Sequence, residues 1–245
     1  MADIPAEVRQ GLNEGRLEAV TLVEALAVDH ARLLREVLPQ AGEAMVRRVQ
    51  AAQELKITGK MRAMGEILHE CEGLEVFETL ARHRSDTVRG WAASLLGAAA
   101  GLTLRQRLLK MADLADDPNA GVREWAWMAL RPHLIEDLER GMQALAAWVR
   151  HESACLRRFA CEITRPRGVW CAHIELLKQE PGRALSLLEP LHDDPARYVQ
   201  NSVANWLNDA AKSRPDFTRE TCARWSGQSD SKATAYIVKR AMRSL

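Results

Sequence analysis

Three stretches of the chain superimpose when they are aligned on an apolar residue followed by arginine: VRGWA from Val88, VREWA from Val122 and LRRFA from Leu156, at offsets of 34 and 34 residues. Each follows a turn rich in Asp, Pro, Asn or Ser, as in ADDPNAGVREWA. A fourth copy, YVQNSVA with Val199 in register, comes after HDDP, 43 residues further on. A unit of this length is one helical hairpin, too small to bury its own apolar face. It must stack on its neighbours, and the chain must be built as an array. Alanine, leucine and arginine dominate, β-branched residues are sparse and aromatic residues make up only 5%, so no strand-like alternation competes with helix.

Tetratricopeptide units share this period, but their Trp/Gly/Tyr and Ala/Pro signature is missing. An Asp-Pro turn leading into an amphipathic helix opened by Val-Arg predicts HEAT- or armadillo-like units instead. The expected fold is therefore all-α, a right-handed α-α superhelix, in which the second helices line a concave surface. With 245 residues, 47% of them hydrophobic, the chain can bury a sizeable core. No low-complexity linker interrupts it, and it reads as a single domain over 1–245. Within it, 1–75 would hold divergent helices (15–37, 43–55 and 59–72), 76–215 the core repeats, and 216–245 a terminal cap.

Neither a basic-plus-apolar leader nor an apolar run of roughly 18 residues is present, so a cytoplasmic location and no membrane partner are expected. The five cysteines contain no CxxC pair and the seven histidines no HExxH spacing; no metal and no disulfide framework are expected. Net charge is only +1, yet it is unevenly placed. Residues 1–149 carry 18 Lys+Arg against 22 Asp+Glu, net −4, whereas 150–245 carry 16 against 11, net +5. A modest polyanion-facing surface in the second half fits this asymmetry.

Helical periodicity assigns faces within the repeats. In the helix from Leu156, residues Leu156, Phe159, Ala160 and Ile163 share the apolar stripe, which turns Arg158, Cys161, Glu162 and Arg165 the other way. The same register buries Val122, Trp125, Ala126 and Ala129, leaving Glu124, Trp127, Met128 and Arg131 outward. In the last repeat Asn201, Asn205, Asn208 and Lys212 face out, with Asp209 at the edge. Trp91 and Trp125 occupy the core position of the repeat. Trp127 is either covered by an adjacent unit or exposed for a purpose. Glu162, with arginines at i−4 and i+3, is either an ordinary surface ion pair or a placed carboxylate, and periodicity leaves both open.

The run CEITRPRGVW (161–170), followed by LSLLEPLHDDPARYVQNSVANWLNDAAKSRPD, resembles the AlkC branch of the AlkC/AlkD DNA alkylation repair proteins, HEAT-like-repeat glycosylases that remove alkylated bases. The likeness is clearest from about Trp148 to Asp216, and it implies a form without the C-terminal immunoglobulin-like domain that some relatives carry. By this resemblance the acid before the TRPR segment is Glu162, the tryptophan after it is Trp170, and the aspartate closing the LND motif is Asp209. These would line a pocket around the lesion, with Glu162 and Asp209 catalytic and Trp170, Trp127 and Glu124 beside the substrate. Where the family segment ending in ALRP has a further acid, this chain has Trp127, with Glu124 one turn away.

The implied chemistry is hydrolysis of an N-glycosidic bond in double-stranded DNA by a monomer that needs no cofactor. A base alkylated at a ring nitrogen is cationic, such as 3-methyladenine or 7-methylguanine, and is already a good leaving group. The protein must stabilise an oxocarbenium-like sugar and place a water, which a buried carboxylate does, and an indole face attracts the cationic base by about 0.5–2 kcal/mol. Arg158, Arg165, Arg167, Lys212, Asn201 and Asn205 would hold the DNA backbone, with Pro166 ending the helix and stiffening the arginines. Two other functions fit a helical array: a non-catalytic binder of damaged or branched DNA, and a protein-binding scaffold.

Overall fold

The structure, a computed structural model, describes residues 4–245 and contains no strand among them. The chain divides into two compact units, Met1–Ala129 and Leu130–Leu245. The first holds α1 (Ala6–Asn13), α2 (Leu22–Leu26), α3 (His30–Val37), α4 (Glu43–Ala52), α5 (Ile57–Glu72), α6 (Phe77–Ala81), α7 (Asp86–Ala98), α8 (Leu104–Ala115) and the start of α9 (Ala120–Glu136). The second holds the end of α9, then α10 (Leu138–Leu145), α11 (Ala154–Ile163), α12 (Glu175–Gln179), α13 (Leu185–Leu188), α14 (Arg197–Ala211), α15 (Pro215–Gln228) and α16 (Lys232–Ala241). The core of the first unit forms where α7 packs on α5, α6 and α8; in the second, α14 packs on α11, α15 and α16.

The helices expected at 43–55 and 59–72 are α4 and α5, but the one expected over 15–37 is not continuous. Gly15 sits at φ 65°, in the left-handed region that glycine enters without steric cost and that closes helices, while Arg16 N–H returns to the Gly11 carbonyl at 2.8 Å. The chain restarts at α2, where Thr21 and Glu24 form a reciprocal capping box, and again at α3, where the Asp29 carboxylate accepts from the Ala31 and Arg32 amides. These caps satisfy amides that a new helix leaves without partners. An apolar period read across such stops makes one helix out of pieces.

The arginine of the repeat motif explains why the turns recur. In the first unit Arg89 Nε and Nη2 donate to the two Asp117 carboxylate oxygens at 2.6 and 3.0 Å, while its Nη1 donates to the His83 and Arg84 carbonyls in the turn preceding its own helix. In the second unit Arg157 repeats the pattern, bonding Asp194 at 2.6 and 3.0 Å and the His151 and Glu152 carbonyls. Each turn aspartate also caps its own turn: Asp117 accepts from the Asn119 amide and Asp194 from the Ala196 amide. One guanidinium therefore staples its own turn to the next one. These are bidentate, largely desolvated pairs of the kind whose one-sided removal is costly.

The assigned core stripe of α11 is buried as expected, and Trp91 is fully buried with its Nε1 donating to His30 Nδ1 at 3.2 Å. The polar stripes differ from expectation. Cys161 and Glu162 are buried, Asn208 and Asp209 are buried, and Trp127 and Arg131, assigned outward on α9, are buried as well, whereas Trp125 and Ala129, assigned to the core, are only half-buried. The physical reason is that both sides of these repeat helices are covered. A polar residue opposite an apolar stripe then meets another polar side chain or the main chain, and water is excluded.

Candidate active site

The C-terminal turn of α11 is where the chain's chemistry-bearing groups meet, because a helix end leaves carbonyls that must find donors. Thr164 Oγ1 donates to the Ala160 and Cys161 carbonyls, the Arg165 amide takes the Glu162 carbonyl, and the Thr164 carbonyl accepts from Trp206 Nε1 at 3.0 Å. The Ile163 carbonyl accepts from Arg131 Nη1 at 2.7 Å. Fixed this way, the last turn of α11 holds Glu162 against α14 and sends the chain into the segment 164–174.

Glu162 is 3% exposed. Its Oε1 accepts from Ser202 Oγ on α14 at 2.6 Å and lies 3.7 Å from Arg158 Nη2; its Oε2 accepts from Arg165 Nη1 at 3.1 Å. The same Arg165 guanidinium turns its other edge to Asp209, donating from Nε and Nη2 to Oδ2 at 2.9 and 2.7 Å. Asp209 Oδ1 accepts from Lys212 Nζ at 3.3 Å. Two buried carboxylates from different helices thus share one arginine. Burial opposes the charge on Arg165, but Glu162 and Asp209 more than offset it and raise its pKa above that of free arginine. Arg158 and Lys212 pair with the remaining carboxylate oxygens, so the cluster holds two acidic and three basic side chains.

Most residues assigned to DNA contact are instead engaged within the protein. Arg165 bridges the carboxylates, the Arg158 guanidinium lies 4.4 Å from the Tyr198 ring centroid, and Arg167 Nη2 donates to Ser213 Oγ at 2.6 Å. Asn201 accepts from Tyr236 Oη at 2.7 Å and Asn205 from Arg243 Nη2 at 3.0 Å. Asn208 donates to the Ala241 carbonyl and Ser244 Oγ. The three asparagines bind the last helical segment, a partner distant in sequence that the periodicity of α14 alone does not reveal. Lys212, with half of its side chain exposed, is the one member of that set turned to solvent.

Trp170 differs most from its expected place. Rather than walling a pocket it is 59% exposed, beside Val169 at 57%, and it is the only non-glycine residue with positive φ among the described residues, at 63°. For a bulky residue the left-handed region costs about 1–2 kcal/mol, so the surrounding segment must impose it. Trp127 and Glu124 belong to the first unit, where Trp127 Nε1 donates to Glu124 Oε2 at 2.8 Å, which gives the indole on the unexpected face its partner. Arg131, read as an outward residue, is the functional-site member that the sequence reading missed. Its signal is a guanidinium 34 residues ahead of Arg165, in the same repeat register.

Among the described residues, no group of three or more His, Cys, Asp or Glu side chains is placed to hold a metal ion, and no helix is long and apolar enough to cross a membrane. All five cysteines are free thiols.

A 25% identical structure, the Pseudomonas fluorescens alkylpurine DNA glycosylase AlkC bound to DNA containing an abasic site analog, superimposes with a TM-score of 0.70 over 99% of this chain and 65% of its own. AlkD2 from Streptococcus mutans, 20% identical, shares the fold with a TM-score of 0.61 over 87% of this chain and 96% of its own. The Bacillus subtilis protein YhaZ, described as uncharacterized, is 40% identical over 117 residues, which make up 48% of this chain and 32% of that protein. The chain thus spans about a third of the length of that relative and about two thirds of the AlkC chain. The all-α repeat fold is the one these two structures share, and the family described as DNA alkylation repair enzyme matches residues 117–245, the stretch that carries Glu162, Arg165 and Asp209. This chain belongs to the DNA alkylation repair enzyme family.

Proposed function

We propose that the protein is a DNA glycosylase that excises cationic alkylated purines, 3-methyladenine or 7-methylguanine, from double-stranded DNA by hydrolysis of the N-glycosidic bond. The observation that carries this reading is the pair of buried carboxylates, Glu162 and Asp209, held on one guanidinium. A fold gains little from burying two anions on one cation when an apolar pair would pack as well. Carboxylate oxygens fixed in place are what an oxocarbenium-like sugar and a cationic leaving base require. Ser202 and Arg165 each hold one oxygen of Glu162, so the anion needs no reorganisation as positive charge develops. The exposed Trp170 indole offers a face to the cationic base, and Lys212 offers a solvent-facing charge to a phosphate. Family membership and the AlkC likeness support the same reaction class.

Incubating the protein with methylated duplex DNA and measuring free bases by chromatography tests the reading. Release of 3-methyladenine or 7-methylguanine is expected, and Glu162→Gln abolishes release while retaining most of the DNA affinity. A second reading, a non-catalytic binder of damaged or branched DNA, draws on Trp127 in place of the family acid and on its bond to Glu124. Salt-dependent DNA binding without release by the wild-type protein would select it, and no DNA binding at all would select a protein scaffold.

A further inference from the structure

Arg131 is 1% exposed, yet apart from the Cys171 thiol beside it its guanidinium bonds neutral main-chain carbonyls. Nη1 donates to Ile163 at 2.7 Å, Nη2 to Arg165 at 2.6 Å and to Ala172 at 3.0 Å, and Nε to Ala172 at 3.1 Å. Burial accordingly lowers its pKa from the usual arginine range, so this charge is held at a cost that no direct carboxylate bond offsets. What it gains is geometric. The carbonyls of Ile163 and Arg165 belong to the strand of chain leaving α11, and that of Ala172 to the strand returning toward α12. One planar fork therefore ties together both ends of the segment bearing Val169 and Trp170. The Pro166 carbonyl accepts from the Ile174 amide at 3.0 Å and closes the base of the loop.

Two further observations show that the loop is wrapped closely on this guanidinium. A Cβ added at Gly168 would stand 2.3 Å from Cys171 Sγ, which would have to turn aside, and in contact with Arg131 Cζ at 3.4 Å, so the loop main chain lies close over the guanidinium. At the tip, Trp170 is held at φ 63°, a conformation that a free loop would leave and that persists where the surroundings over-determine it.

We propose that Arg131 is a positioning residue. By clamping the main chain of Arg165 and Ala172 it fixes, at one end, the arginine that bridges Glu162 and Asp209 and, at the other, the exposed indole of Trp170, so that carboxylates and indole face the lesion in one geometry. Its role in excision rests on the glycosylase reading above; the clamp itself does not. Lysine at 131 keeps a positive charge but presents one point instead of a planar fork and cannot span the carbonyls.

Two measurements on the full chain test this: amide hydrogen exchange over residues 165–173 and single-turnover excision of 7-methylguanine. For Arg131→Lys, exchange in the loop rises while α14 keeps its protection, and the excision rate falls by about 100-fold, as expected when a catalytic constellation is misplaced by about an ångström. Affinity for undamaged duplex stays within about threefold, because the clamp acts on geometry rather than on phosphate contacts. Gly168→Ala lifts the loop from the other side without touching a buried charge. It slows excision in the same way, and the double variant is no slower than the worse single one, since both act through one loop. Wild-type exchange in the loop of Arg131→Lys overturns the clamp, and wild-type excision by both variants overturns its positioning role. Wild-type protein that excises nothing overturns the glycosylase reading instead, and leaves the clamp to be decided by exchange.

Discussion

Arg89 in the first unit and Arg165 in the second are both largely buried cations held by buried carboxylates, and they teach opposite lessons. The bonds of Arg89 to Asp117 are completed by the His83 and Arg84 carbonyls, and Asp117 in turn caps the Asn119 amide. Its Nη2 also donates to Glu18 Oε1 at 2.6 Å, but Nη1 is spent on two main-chain carbonyls of the turn before its own helix and Asp117 on the next turn, so the charge serves the fold. The bonds of Arg165 go only to the side chains of Glu162 and Asp209, and the further partners of those carboxylates, Ser202, Arg158 and Lys212, are side chains too. Buried ions do not by themselves mark a site. An ion network whose members are all side chains is free to interact with something that arrives.

The largest effect that would sharpen the contrast is on chemistry. Glu162→Gln keeps the shape of the cluster and removes its charge; it should lower the excision rate by about 1000-fold, equivalent to about 4 kcal/mol at the transition state, with the urea midpoint little changed. Arg89→Ala should do the reverse. It costs about 3 kcal/mol in urea unfolding by stranding Asp117 without its cation, and leaves per-molecule excision intact where the protein remains folded. An excision defect in folded Arg89→Ala protein would break the distinction.

A smaller effect separates the units by pH. Burial, aided by Lys60, lowers the pKa of His30 to about 4 from 6.5, so the folded state keeps the ring neutral where the unfolded chain takes up a proton. More protons are then bound in the unfolded state between these values, and stability falls as pH drops through that window. About 2 kcal/mol should be lost between pH 7 and pH 5, measured by urea unfolding, and His30→Gln should remove this dependence. Least of all, Lys212→Ala should lower the salt dependence of DNA binding by about one counterion with no change in stability. An unaltered salt slope would take Lys212 off the DNA path.

Much of this organisation is legible in the sequence where it depends on local pattern. The apolar-arginine motif marks α7, α9 and α11 and its register marks α14, while the resemblance around TRPR and LND singles out Glu162 and Asp209; the structure brings the two together on Arg165. The misreadings share one cause. Periodicity tells apolar from polar faces, but it equates polar with solvent-facing, and that equation fails where a second helix covers the polar side. Periodicity therefore turns Asn201, Asn205 and Asn208 to solvent, whereas Tyr236, Ala241 and Arg243 lie against that stripe. Arg131 was hidden for a related reason: its partners are carbonyls, which no side-chain pattern encodes. The break at Gly15 is a matter of one backbone angle.

The stapling arginines also measure distance. Arg89 reaches an aspartate 28 positions on and Arg157 one 37 positions on, yet both close with the same pair of bond lengths, 2.6 and 3.0 Å. The longer interval in the second unit has been accommodated by the short helices α12 and α13 and the turns around them, without moving one turn out of range of the other. An arginine side chain is thus the gauge that spaces successive hairpins. Extra chain can be added between two hairpins so long as the ends return to within that reach, and the register of the array is kept in ångströms when it is lost in residue count.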